Sequence, residues 1–131
     1  MDSFLQTWSP RILSVLRIMT ALLFLQHGTA KLLGFPHVPG FANLQLMSLI
    51  GVSGILELVG GLLMVIGLFT RATAFVLTGM MAVAYFMAHA PQGFFPLLNQ
   101  GELAILYCFV FLYFVVAGGG AWSVDAARGA R

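Results

Sequence analysis

Charge is what this sequence has least of. Of 131 residues, six are Lys or Arg and four are Asp or Glu, 8% in all, against 60% hydrophobic residues. A soluble domain carries roughly 25% charged residues, and so thin a supply cannot cover a globular surface in water. The same numbers exclude disorder, which needs low hydrophobicity and abundant charge. Ten scattered charges also leave no footprint for nucleic acid, despite a formal net charge of +2. Cysteine is nearly absent: Cys108 stands alone, so neither an intrachain disulfide nor thiol–disulfide chemistry is available. A glycine-rich phosphate loop, a zinc-spaced Cys/His set and a nucleophile elbow are all missing, and no metal site is expected.

What is present is apolar sequence in runs of membrane-crossing length, with a mean hydropathy of +0.99. A transmembrane helix uses about 20 residues, so four spans take about 80 and leave about 50 for ends and loops. The runs fall at about 11–33, 44–69, 72–90 and 102–117. Between them lie GFPHVPGFAN, the short Thr70–Arg71 turn and PQGFFPLLNQG, rich in the Gly and Pro that end helices. Gly118, Gly119 and Gly120 break the last run. The reading is all-α: one domain over 1–131, an integral membrane bundle of four transmembrane helices in contact with the lipid bilayer. Arg11 and Arg17 ahead of IMTALLFL, with small Gly28 and Ala30 beyond, also resemble a cleaved secretory signal. The length and interruptions of that segment favour a retained span.

Basic residues near span ends set orientation. With four spans, Arg11, Arg17, Arg71, Arg128 and Arg131 share one side and Lys31 stands on the other. Both termini are therefore expected in the cytoplasm, with Arg17, Arg71 and Asp125 as helix-end anchors.

Charge at mid-span costs at least about 2.5–3.5 kcal/mol on insertion scales and usually faces a partner or cavity. Glu57 sits near the middle of the second span. Ser53, Gly54, Gly60 and Gly61 share its helical face, so that face should meet a neighbouring helix closely. On the first span His27 and Lys31 are one turn apart; on the third, Thr78, Tyr85 and His89 form a stripe. His27, Lys31, His89, Asn99 and Glu102 all fall in the outer half of the bundle. The expectation is a single polar pocket of these residues with Glu57, opening outward and capped by Phe94–Phe95–Pro96. The plainer alternative is that a Glu57 ion pair with Lys31 or Arg17 fixes helix register, with the tyrosines as packing and belt residues. A haem held by His27 and His89 is disfavoured, since His27 lies about 9 Å below its helix end while His89 is at its own.

The ordered pieces His27-Gly28, Lys31-Leu32, Gly54, Glu57, Gly60-Gly61-Leu62-Leu63, Gly67-Leu68-Phe69-Thr70-Arg71, Phe94-Phe95-Pro96, Asn99-Gln100-Gly101-Glu102, Leu106-Tyr107 and Ser123-Val124-Asp125 resemble the DoxX family of small four-helix membrane proteins. The resemblance runs over about residues 11–125. Positions matching the family pattern are His27, Lys31, Glu57, Arg71, Asn99, Glu102 and Asp125; Gly118–Gly120 stand where the pattern often has Gly-Pro-Gly. The resemblance implies a cytoplasmic-membrane protein linked to redox physiology and oxidative stress. Its relatives include the membrane subunit of a thiosulfate:quinone oxidoreductase and partners of superoxide dismutase and a sulfurtransferase.

Three functions follow as expectations. The leading one is a quinone-associated redox membrane subunit, in which the apolar bundle takes the quinone ring and Lys31, His27 and acidic partners hydrogen-bond its oxygens. The second is a non-catalytic scaffold that recruits a soluble oxidoreductase or sulfurtransferase. The third is a small-solute transporter, as a homo-oligomer, with Glu57 as its coupling site.

Overall fold

The computed structural model describes residues 1–129; Arg131, counted above on the C-terminal side, lies outside them. The described residues form helices α1 (Asp2–Leu33), α2 (Leu49–Ile66), α3 (Thr70–Ala84), a one-turn α4 (Pro96–Asn99), α5 (Glu102–Ala117) and a one-turn α6 (Val124–Ala127), with no strand among them. A π turn at Tyr85–His89 and a 3-10 turn at Ala90–Gln92 prolong α3. Asp2–Leu33, Leu49–Ile66 and Thr70–Gln92 are each long and apolar enough to cross a membrane. α5 is equally apolar but has 16 residues, about 24 Å of helix against a hydrocarbon core of about 30 Å.

Two helix starts differ from the sequence reading. α1 does not begin at Arg11; Pro10 lies inside it. Proline removes one ladder bond, but the turns before it are held by their own contacts. The Thr7 hydroxyl donates to the Ser3 carbonyl at 2.8 Å, and the Arg11 guanidinium lies 4.9 Å from the Trp8 ring centroid. α2 begins at Leu49 and not near Leu44, because the Ser48 hydroxyl accepts the Gly51 N–H at 3.1 Å and caps the first turn. It ends at Gly67, whose φ of 73° is the left-handed conformation of a helix C-cap.

α1 packs along α2 and α3 along α5, with a smaller α2–α3 seam. Small residues set the first crossing. A Cβ on Gly28 would lie 2.6 Å from the Leu58 nitrogen and 3.0 Å from the Glu57 carbonyl carbon. Where lipid replaces water, such close backbone approach is what holds helices together. Gly28→Val is therefore expected to cost about 1–3 kcal/mol, seen as a lower unfolding midpoint in detergent. Gly79→Ala, where a Cβ meets open space in mid-helix, should not lower the midpoint. The core joins all four long helices: Ala21 and Phe24, Met64, Leu77 and Met81, and Tyr107, Phe111 and Phe114. Phe24 meets both Tyr107 and Phe111 edge-on, with centroids 5.4 and 5.0 Å away.

Candidate functional site

Glu57 is 3% exposed in the middle of α2. Lys31, in the last turn of α1, reaches it: Nζ donates to Glu57 Oε1 and, at 3.0 Å, to Ser53 Oγ one turn away. The sequence spacing makes this meeting possible, since Ser53 and Glu57 share a face four residues apart. The lysine stem crosses over Gly54, where a Cβ would come within 3.0 Å of Lys31 Cβ. The pair does not close the bundle on its far side. It forms the floor of a groove of about 480 Å³ between α2 and α3, walled by Val52, Leu56, Val76, Met80, Val83 and Met87.

His27 stands one turn before Lys31, with its ring edge-on to Tyr107 of α5 at 6.2 Å. His27 Nε2 and Tyr107 Oη are both buried and neither has a hydrogen-bond partner. By sequence pattern Tyr107 is a packing residue. Nothing in the one-dimensional pattern pairs it with His27, because the α1–α5 contact is made only by the folded bundle.

The remaining outer polar residues form a second, separate cluster, which corrects the expectation of a single pocket. Asn99 is fully buried: its Nδ2 donates to Tyr85 Oη at 3.1 Å and to the Gly93 carbonyl at 2.9 Å, and its Oδ1 accepts the Gly101 N–H at 2.8 Å. His89 Nδ1 lies 3.0 Å from the Asn99 carbonyl. These bonds fold the α3–α5 connection onto itself. Glu102 is exposed at the first turn of α5, and its side chain bonds to neither cluster. Phe94 and Phe95 are 85% and 63% exposed and do not cap the groove. Shared depth brought these residues to one level; direction around each helix separates them.

Arg17 also departs from its expected role as a membrane-face anchor. It is 1% exposed. Its guanidinium donates to the carbonyls of Met64 (2.8 Å), Val65 (3.3 Å), Trp122 (2.9 Å) and Gly119. Met64 and Val65 belong to the last turn of α2, whose carbonyls have no helical partner, so a fork of five donors suits them. Arg71 stays exposed. Asp125 closes the same end from the C-terminal tail, accepting the Phe69 N–H at 2.8 Å and the Thr70 N–H at 2.9 Å, and so caps α3 from a distance.

Burial acts to raise the Asp125 carboxyl, but the Thr70 and Phe69 amides and Arg128 hold it below the ordinary carboxylate value. A depressed carboxyl contributes stability that is complete above the unfolded value of about 3.9 and is lost as pH falls through the folded value. The unfolding midpoint should therefore fall on acidification below about pH 4. Asp125→Ala should flatten that limb and lower the neutral-pH stability by about 1 kcal/mol.

Residues 12–90 match the model of the DoxX family. A Haemophilus influenzae protein described as uncharacterized is 46% identical over 125 residues, 92% of this chain and 93% of its own. The inner membrane protein YqjF of Escherichia coli is 31% identical over 120 residues, 85% of this chain and 87% of its own. No solved structure matches the chain.

Proposed function

The chain belongs to the DoxX family, and from that premise we propose that it is a multi-pass protein of the bacterial inner membrane that holds a quinone as part of a redox system. The likeness to YqjF, an inner membrane protein, supports the location. In this reading α5 is the fourth crossing, its ends completed by the Asn99–Gly101 and Gly118–Gly120 connections. Both termini and the Thr70–Arg71 turn are cytoplasmic, as the placement of Arg11, Arg71 and Arg128 supports.

The observation that carries the quinone reading is a buried ion pair at the floor of a laterally open apolar groove. An ammonium has three donors. Glu57 and Ser53 engage two of those on Lys31, which leaves one for a carbonyl oxygen, while valine and methionine walls suit an apolar ring and its tail. The fit is to a molecule with one polar end that enters from the bilayer. Organic extraction of the detergent-purified protein, followed by mass spectrometry, is expected to recover a quinone that Lys31→Ala preparations lack.

The scaffold reading draws on a different feature of the same residues: Glu57 is satisfied within the chain by Lys31. On that reading the pair only joins α1 to α2, and extraction yields no quinone while a soluble oxidoreductase co-purifies.

A further inference from the structure

We propose that His27 Nε2 and Tyr107 Oη form a two-point site for an internal water at the seam of α1 and α5, one helical turn from the Lys31–Glu57 pair. Both atoms are buried and unpartnered, and Tyr107 is only 5% exposed. A buried polar group left without a partner is costly, and in native proteins such groups are met by protein or ordered water. The Tyr107 ring is wedged among other aromatic rings. Tyr107 is held edge-on to Phe24 at 5.4 Å and stacked on Phe111 at 5.8 Å, while the His27 ring stands at 89° to it.

The chemistry selects the ligand. Imidazole and phenol each present a donor or an acceptor according to tautomer and rotation, so a neutral molecule that does both fits either arrangement. Apolar cavities stay dry, whereas a buried water takes two or more polar partners. Here two converge. The site also neighbours Glu57, because Gly28, adjacent to His27, packs directly on the Glu57 backbone. His27 and Tyr107 do not line the α2–α3 groove, so the site stands independently of any quinone. A water there gives the centre of the bundle a polar link between α1 and α5, on the protein side of the ion pair.

Tyr107→Phe tests this cleanly, since it keeps both ring contacts and removes one oxygen. If the hydroxyl holds a water, the variant unfolds about 3 °C lower, and adding His27→Leu lowers the midpoint no further than the worse single change, because both lose the same molecule. The wild-type infrared spectrum should show an isolated water O–H band that shifts in heavy-oxygen water and disappears in Tyr107→Phe. A Tyr107→Phe midpoint equal to or above wild type would overturn the site, because removing an orphaned hydroxyl relieves a burial cost. So would a wild-type spectrum with no band sensitive to heavy-oxygen water, a result that does not depend on any variant folding.

Discussion

Lys31→Ala is expected to destabilise the protein by about 3–5 kcal/mol, the scale found when one partner of a buried ion pair is removed. Glu57 is 3% exposed, and Lys31 is the cation bonded to it. Without the ammonium, the carboxylate must stay buried and uncompensated or take up a proton. Replacing both partners, Lys31→Met with Glu57→Gln, should recover most of the loss, because no bare charge is then left behind. Unfolding midpoints in a fixed detergent for the two single variants and the double variant decide this. A Lys31→Ala midpoint within a degree of wild type would mean that the pair is solvated and the groove floor is not as described.

Arg17→Ala should be comparably severe, for another reason. Four backbone carbonyls from α2, the glycine turn and Trp122 converge on this one side chain. Stranding them costs about 1–3 kcal/mol for each that finds no water, and about 3 kcal/mol in total is a lower expectation. The loss should be local first: the tail from Gly118 onward loosens, Trp122 emission changes, and limited proteolysis cuts there earlier. Arg17→Lys should rescue little, since a point-like ammonium cannot span acceptors that a planar fork reaches together. Equal protease resistance of Arg17→Ala and wild type would show that the tail is held by other contacts.

These residues also show what a sequence can carry. Glu57 was legible because charge in an apolar run needs a partner, and its small neighbours pointed to a close crossing that Gly28 and Gly54 complete. Helical spacing put Lys31 on one face with His27 but left it and Arg17 as alternative partners for Glu57. Arg17 was not legible: counting basic residues at span ends treats depth alone and does not show that α2 stops one residue after Val65 and leaves its carbonyls open toward α1. His89 and Asn99 were placed at a useful depth but bond to Tyr85 and to the connection itself. Depth is readable from chain position, whereas rotation about a helix axis relative to a third helix is not. Tyr107 is the same case, identical in pattern to a packing aromatic until α5 sets its ring against that of His27.

The most direct test of the central claim compares quinone content with folding in one pair of preparations. Wild type and the charge-free double variant, Lys31→Met with Glu57→Gln, are purified in the same detergent, and quinone per chain is measured alongside the unfolding midpoint. The groove account expects quinone in wild type and none in the double variant at a near-equal midpoint. Equal quinone in both preparations, or none in either, would contradict it.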